Sequence, residues 1–258
     1  MEVVKALAKS KQCQSVLAIV RWEERVSPPP LLLLVACCGS IKYGHLNSRS
    51  TGGPVNIEMR ATAVSEWKGG KEGCSEGGNS SAPDFTKVEV KRVNYETLET
   101  SLPQQELRGK QVVFYCLGTT RSDAGSAANF KKVDLSYLEG VTQLCRVSGV
   151  DHFSLVSSQG ASTSSPLLYT KVKGRCEQVV RSAGFPHTSI WRPGLLGRGE
   201  KARGVEKMAR LLVTPMPVET LGRAMVKEAE SKLGAEPNEE AMVFSNKDIK
   251  KIAEPHDS

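Results

Sequence analysis

The amino-acid sequence predicts an α/β fold, an open parallel sheet with helices on both faces, built mainly by the part of the chain beyond residue 86. Two observations support this prediction. Short apolar runs alternate with segments of helical periodicity. Small polar residues and glycines follow each predicted strand, at the edge of a parallel sheet where ligands bind.

The alternation begins with a strand at 111–117, a continuous apolar run that is typical of a strand buried on both faces. A helix follows at 134–148, because its leucine and valine residues recur at three- and four-residue intervals and Gly149 provides a stop. The remaining predicted elements are a strand at 152–157, a helix at 169–183 and a strand at 188–192. Strands and helices that alternate with short links predict a parallel sheet.

The size and composition are those of a globular protein with one principal core. The chain has 258 residues, with 39% hydrophobic and 24% charged residues, which excludes a wholly disordered, collagen-like or multi-span membrane protein. Its strongest apolar run, residues 31–38, falls well short of the about 20 residues that a membrane helix needs. The net charge of +7 favours anionic partners without selecting a class.

Seven cysteines occur with no C-x-x-C pair, and several lie inside apolar runs. We therefore expect reduced thiols, with neither a metal site nor a disulfide framework. This pattern predicts a cytoplasmic protein that is also compatible with the nucleus or nuclear envelope.

The chain changes character near residue 86. Residues 48–82 are rich in glycine and serine and contain few large apolar residues, so they bury too little surface to offset the ordering of their backbone. An apolar run at 15–20 predicts one strand before them. We divide the chain into a divergent, partly disordered region of residues 1–86 and a folded domain of residues 87–253.

The most informative motif is Tyr169-x-x-x-Lys173 at the start of a predicted helix, where the i, i+4 spacing places both side chains on one face. An ammonium group near a phenol favours the ionised phenol, which makes a tyrosine usable as a general acid/base. Ser157 and Ser158, at the end of the preceding strand, both qualify as the hydroxyl that orients a substrate. A solvent-exposed tyrosine–lysine pair is the competing explanation if the motif is taken alone.

Four segments together resemble the short-chain dehydrogenase/reductase superfamily, and more narrowly its atypical Tat-interactive-protein oxidoreductases. The resemblance extends over about residues 88–253 and rests on the segments 113–121 (VFYCLGTTR), 151–161 (DHFSLVSSQGA), 169–174 (YTKVKG) and 192–196 (RPGLL). It implies a Rossmann-like open parallel sheet that binds NADP or NAD, with NADP favoured.

The resemblance also implies roles for individual residues. Tyr169 would be the catalytic acid/base, Lys173 would bind the nicotinamide ribose and assist the tyrosine, and Ser158, rather than Ser157, would orient the substrate. The residues implied in cofactor binding are Leu117, Gly118, Thr119, Thr120 and Arg121 at the ribose and pyrophosphate, Asn94 near the adenine, and Pro193 and Gly194 beside the nicotinamide.

The sequence departs from the family where a G-x-x-G-x-x-G turn should follow the first strand and hold the pyrophosphate at a helix N-terminus. Residues 21–25 are Arg-Trp-Glu-Glu-Arg, and the spacing of Gly39 and Gly44 does not match the motif. The first β-α-β unit is therefore predicted to be incomplete or divergent.

These observations predict an NAD(P)-dependent oxidoreductase that transfers hydride to or from a small carbonyl or alcohol. The alternative is a non-catalytic, dinucleotide-sensing interaction protein, linked by the resemblance to transcription or nuclear transport, or an inactive variant that lacks the phosphate loop. No direct nucleic-acid contact is expected, because the lysines at 247–251 lack interleaved aromatic residues.

Overall fold

The computed structural model describes residues 2–10, 15–21, 32–37, 88–197, 215–238 and 240–254. Within these ranges a sheet of seven strands lies between two layers of helices. The α/β class predicted from the sequence is therefore confirmed. The glycine- and serine-rich segment at 48–82, residues 22–25, Gly39 and Gly44 lie outside the described residues.

The helices of the described ranges form both outer layers. They are α1 (Glu2–Lys9), α2 (Leu98–Ser101), α3 (Arg121–Ala124), α4 (Ala127–Lys131), α5 (Tyr137–Val147), α6 (Leu168–Ser182), α7 (Val218–Ser231) and α8 (Asn246–Ala253). Short 3-10 turns occur at Tyr95–Thr97 and Gln104–Leu107, and a π-helical turn at Lys132–Ser136 leads into α5.

The strands form one large sheet and one two-stranded sheet. They are β1 (Ser15–Arg21), β2 (Leu32–Cys37), β3 (Val88–Val93), β4 (Lys110–Tyr115), β5 (His152–Val156), β6 (His187–Trp191), β7 (Leu196–Gly197), β8 (Met216–Pro217) and β9 (Met242–Phe244). The large sheet has the order β3-β1-β2-β4-β5-β6-β9, and β7 pairs with β8. The pairs β1–β3, β4–β5, β5–β6 and β6–β9 are parallel.

The elements predicted beyond residue 86 are present with small shifts of their ends. The predicted strands at 111–117, 152–157 and 188–192 are β4, β5 and β6, and the predicted helix at 169–183 is α6. The helix predicted at 134–148 differs at its start, because residues 132–136 form the π-helical turn and the regular α-helix begins only at Tyr137.

The amino-terminal part of the sheet shows how the first unit diverges. The strand predicted at 15–20 is present as β1, but it does not lie beside β4. That position is taken by β2, which comes from the apolar run at 31–38 and runs antiparallel to both of its neighbours. The chain therefore replaces a parallel first unit with a reversed strand.

Both faces of β4 are buried, as its continuous apolar sequence predicted. Val113 and Tyr115 belong to a cluster that packs against α5 and α6. Val112 and Phe114 belong to a second cluster on the opposite face, which contains residues of α1, α7 and α8. The sheet thus separates two apolar layers.

Helix α1 contributes to the second of these layers. Val3 and Leu7 are 7% and 4% exposed and lie in the cluster that includes Trp191 and Met225. The hydroxyl of Ser10, just after α1, donates a hydrogen bond to Glu230 on α7. The amino-terminal helix is thus part of the folded core.

This packing predicts that Leu7→Ala lowers the free energy of unfolding by about 2–5 kcal/mol, because it removes a buried side chain and leaves a cavity. Denaturant unfolding checks it, and Lys9→Ala at an exposed position of the same helix is the matched control. Equal stability of the two variants would show that α1 contributes nothing to the core.

Candidate active site

The loops after β5 and β6 lie side by side at the carboxyl edge of the sheet. The Ser157 N–H donates to the Trp191 carbonyl at 2.7 Å, and the Gln159 N–H donates to the Pro193 carbonyl at 2.9 Å. The loop after β5 also contacts the first turn of α6, because the Ser162 N–H donates to the Thr170 carbonyl at 3.0 Å. The strand-end serines and the tyrosine motif are therefore held on neighbouring segments.

Helix α6 places Tyr169 and Lys173 in different environments. The Tyr169 side chain is 42% exposed, and its ring stacks on Phe130 with the ring centres 5.9 Å apart. The Lys173 side chain is buried, with its Nζ atom 6.0 Å from the centre of the Tyr169 ring. The predicted pair is thus present, with the phenol at the surface and the ammonium beneath it.

Asp134 holds the Lys173 ammonium in place. Its Oδ1 lies 2.7 Å from Lys173 Nζ, and its Oδ2 accepts a hydrogen bond from the Thr119 N–H at 2.8 Å. Burial, the largest single influence, lowers the pKa of Lys173, but the charges of Asp134, Tyr169 and Cys176 and the hydrogen bond to Asp134 together outweigh it, so the net pKa is raised. The charged form of the lysine is therefore stabilised inside the protein.

Sequence reasoning did not find Asp134. The residue was assigned to an ordinary amphipathic helix, whereas the structure places it in the π-helical turn before α5, where it is 1% exposed. An acidic residue flanked by Val133 and Leu135 was the available signal, because a buried carboxylate needs a cationic or hydrogen-bonding partner.

Gly118 lies against this ion pair. A Cβ atom at Gly118 would be 3.1 Å from Lys173 Nζ and 3.3 Å from Asp134 Oδ1. A side chain here would push the ammonium or the carboxylate from its position. Gly118 therefore has two effects. It lies just beyond the end of β4, and because it has no side chain, the loop backbone can lie against the ion pair.

The structure distinguishes the two candidate serines. The Ser157 hydroxyl donates to Glu177 Oε1 at 2.6 Å, and Glu177 also binds the Arg192 guanidinium through both carboxylate oxygens. The Ser158 side chain is only 8% exposed, yet its hydroxyl has no hydrogen-bond partner. The Ser157 hydroxyl is therefore engaged within the protein, whereas the Ser158 hydroxyl is not.

The segment Pro193-Gly194 is fixed by a residue that the sequence did not indicate. The Gly194 N–H donates to the Asn246 Oδ1 at 2.8 Å, and a Cβ atom at Gly194 would lie 2.8 Å from Asn246 Nδ2. Asn246 begins α8, far along the chain, so no local pattern pointed to it. The turn after β6 is thus held by both the β5 loop and α8.

The other predicted cofactor residues lie in different surroundings. Leu117 is buried, the Thr120 hydroxyl caps α3 by accepting from the Asp123 N–H, and Arg121 is exposed. Asn94 follows β3 and its side chain accepts from the Glu96 N–H. Two strands, β1 and β2, separate β3 from β4, so Asn94 is not brought against residues 117–121 through strand pairing.

In the described part of the chain, no group of His, Cys, Asp and Glu side chains could hold a metal ion, and no helix has the length and apolar character of a membrane span. The cysteines with described side chains, Cys116, Cys145 and Cys176, are unpaired, and burial raises the pKa of each thiol.

A Tyr-x-x-x-Lys helix beside a strand-end serine on a Rossmann-like sheet is the arrangement of the short-chain dehydrogenases/reductases. The chain is 30% identical over 189 residues to the mitochondrial protein FMP52 of Candida albicans, a match that covers 66% of this chain and 82% of that protein. It therefore belongs to the atypical short-chain dehydrogenase/reductase family that includes FMP52 and HTATIP2.

Two other relatives match over shorter lengths. The mitochondrial FMP52 protein of Debaryomyces hansenii is 41% identical over 103 residues, which cover 40% of this chain and 46% of that protein. Rat HTATIP2 is 38% identical over 134 residues, which cover 52% of this chain and 54% of that protein. The chain thus spans about half the length of these two relatives.

No family model matches the chain. Among solved structures, it is similar to MoeE5 in complex with UDP-glucose and NAD, with a TM-score of 0.49, 13% identity and coverage of 64% of each chain. It is also similar to the Citrobacter triphenylmethane reductase complexed with NADP(H), with a TM-score of 0.43, 17% identity and coverage of 62% of this chain and 54% of that one.

The relatives correct the expected location. Reduced thiols and the family resemblance predicted a cytoplasmic or nuclear protein, but the matched FMP52 proteins are named as mitochondrial. The prediction of a cytoplasmic or nuclear location is therefore wrong. A cysteine pattern reports whether thiols are oxidised, and it does not distinguish between compartments that keep them reduced.

The buried ion pair predicts that Asp134→Asn lowers the free energy of unfolding by about 3–5 kcal/mol, because it leaves the Lys173 ammonium buried without a counter-charge. Thermal and denaturant unfolding measure the loss. Lys173→Met combined with Asp134→Asn is the informative second variant, since it removes the uncompensated charge and should recover part of the stability. An unchanged free energy of unfolding in the Asp134→Asn variant would show that the ion pair does not hold the lysine.

Proposed function

We propose that the protein is an NAD(P)-dependent oxidoreductase of the short-chain dehydrogenase/reductase type, acting on a small carbonyl or alcohol. The observation that carries the proposal is the grouping of Tyr169, the buried Lys173 and the unpartnered Ser158 hydroxyl at the carboxyl edge of the sheet. A buried hydroxyl without a partner is costly unless a ligand or water completes it.

The residues at this edge fit the nicotinamide end of a dinucleotide. Gly118 lies against the Lys173–Asp134 pair, which places the loop backbone beside the ammonium, and Ser158 offers a hydrogen bond that no protein atom uses. Bound NAD(P) would supply the hydride or accept it. Among the chain's own residues, Lys173 would hold the ribose, Pro193 and Gly194 would lie beside the nicotinamide, and Leu117 to Arg121 would line the adjoining ribose and phosphates.

In this mechanism Tyr169 gives a proton to the carbonyl oxygen during reduction, or takes one from the alcohol during oxidation. Ser158 holds the same oxygen by hydrogen bonding and so fixes its position relative to the phenol. The Lys173 ammonium, kept charged by Asp134, favours the phenolate that forms when the proton has left. The three side chains thus have separate tasks.

One observation favours the second candidate, a dinucleotide-sensing or inactive form. The strand next to β4 is the reversed strand β2, and the sequence after β1 contains no glycine turn for the pyrophosphate. A protein with this change would keep the catalytic side chains but bind the cofactor weakly. Dinucleotide binding and turnover have to be measured separately.

We expect NADPH and NADH to bind with dissociation constants above about 1 mM, since two lost charge-assisted hydrogen bonds of about 1.5–3 kcal/mol each weaken binding by about two to four decades. Calorimetric titration measures the affinity. The comparison variant replaces residues 21–86 by a segment that contains a strand, a G-x-x-G-x-x-G turn, a helix and a second strand. This variant should bind the dinucleotide more tightly than the unmodified chain. Sub-millimolar binding by the unmodified chain would contradict the predicted loss of the phosphate site.

At saturating cofactor, Tyr169→Phe should reduce turnover of aldehydes, ketones or alcohols about 10²–10⁴-fold, because it deletes the proton donor. Thermal stability should hardly change, since the ring keeps its stacking on Phe130. Full activity of this variant with an unchanged pH profile would refute the assigned role.

The neighbouring serines provide a matched pair for the same assay. Ser158→Ala should lower turnover without destabilising the protein, because its hydroxyl has no protein partner. Ser157→Ala should mainly lower stability, because it removes a hydrogen bond to the buried Glu177. If Ser157→Ala lowered turnover and Ser158→Ala lowered stability, the roles assigned to the two serines would have to be exchanged. Turnover absent from the wild-type protein at saturating cofactor would favour the non-catalytic candidate.

A further inference from the structure

A second polar cluster lies at the opposite edge of the sheet, where β5 and β6 begin. His152 and His187 are the first residues of these strands, and their rings meet edge to face with centres 5.9 Å apart. His152 Nε2 lies 2.8 Å from Ser189 Oγ, and Ser189 Oγ lies 2.9 Å from Glu228 Oε1 on α7. His152, His187, Ser189 and Glu228 are all buried.

The Ser189 hydroxyl couples the two ends of this cluster, because it has a single proton to donate. When Glu228 is ionised, Ser189 donates to the carboxylate and accepts from His152 Nε2–H, which leaves His152 Nδ1 as an acceptor. When Glu228 carries its proton on Oε1, it donates to Ser189, Ser189 donates to Nε2, and the imidazole proton resides on Nδ1. The protonation of Glu228 therefore decides whether His152 Nδ1 donates or accepts.

A cavity of about 260 Å³ opens beside this relay, and both histidines and Lys232 line it. The Nδ1 atoms of His152 and His187 are buried and have no hydrogen-bond partner. Lys232 Nζ donates a hydrogen bond to Asn238 Oδ1 at 3.3 Å. Two unpartnered imidazole nitrogens and one ammonium group thus belong to residues that line a space much larger than the share of one water molecule, about 30 Å³.

The groups around Glu228 place its titration near neutral pH. Burial raises the pKa of the Glu228 carboxyl to about 7, although the Ser189 hydrogen bond and Lys232 act against the increase. Burial, with the nearby His187 and Lys232, lowers the pKa of His152 to about 3. The 3.5 Å contact between His152 and Glu228 therefore joins a neutral imidazole to a carboxyl group. Helices α1 and α8 also pack on α7.

We propose that this cavity is a second binding site, which takes a small carboxylate and takes up one proton at Glu228 as it fills. Lys232 supplies the positive charge, and His152 Nδ1–H supplies a donor once Glu228 is protonated. The His152 Nδ1 atom thereby gains a partner that the protein itself does not provide.

One acidic group at the cavity opposes an anion. Asp151 also lines the space, but its side chain is exposed, so water screens its charge more than that of Lys232 beside the buried histidines. Protonation of Glu228 removes the other negative charge. The site is therefore receptive to an anion in one protonation state and unfavourable in the other.

Acetate is the probe, and the signals of His152 and His187 in nuclear magnetic resonance spectra are the readout. At about pH 6, acetate should shift these signals saturably with a millimolar dissociation constant, a range that four heavy atoms can provide. Lys232→Met should abolish the effect, whereas Lys247→Met, at an exposed lysine of α8, should leave it intact. No saturable shift up to roughly 100 mM, or equal binding by both variants, would overturn the site.

The relay has its own test. Acetate affinity of the wild-type protein should fall about tenfold between about pH 6 and 8, as the protonated fraction of Glu228 falls. Glu228→Gln, whose amide can donate to Ser189 permanently, should bind acetate with the same affinity at both pH values. A pH dependence that persists in this variant would refute the relay.

If Glu228→Gln does not fold, the wild-type protein still decides the question. The ¹⁵N shifts of His152 should report a proton on Nδ1 below about pH 7 and on Nε2 above it, following the Glu228 titration. A single tautomer throughout would overturn the proposal. None of these measurements uses a dinucleotide, so their outcome is independent of the oxidoreductase proposal.

Discussion

A buried ammonium group has to be neutralised, and the carboxyl edge of the sheet is arranged about the one on Lys173. Asp134 supplies the charge, and the same carboxylate binds the Thr119 N–H, so the loop after β4 is tied to helix α6 through one side chain. Gly118 lies against both charged groups because it has no side chain. Tyr169 lies one helical turn before the lysine on the same helix.

The second polar link at the edge joins the ends of β5 and β6 to the same helix. Glu177 is one helical turn beyond Lys173, and it binds both Ser157 and Arg192. The Ser157 hydroxyl is thereby engaged, and the neighbouring Ser158 is left with its hydroxyl unused. Two buried carboxylates, Asp134 and Glu177, thus connect the loops after β4, β5 and β6 to helix α6.

The sequence could predict the elements with strong local periodicity. The strands β4, β5 and β6 and helix α6 were found because apolar runs, helical spacing and glycine stops are local signals. The residue pattern alone left Ser157 and Ser158 open, and only the family resemblance favoured Ser158. The structural difference between the two serines depends on Glu177, which lies 20 residues beyond Ser157. Asp134 and Asn246 were missed for the same reason: each acts on a residue that is distant in sequence.

The close packing of helix α6 on the loop after β5 limits how this site can change by mutation. A Cβ atom at Gly174 would lie 2.3 Å from the backbone carbon of Ser162, so a methyl group cannot be accommodated unless the loop moves. Every other amino acid carries that carbon. A lineage that substitutes Gly174 has to remodel residues 161–165 as well, and the helix and the loop can therefore diverge only together.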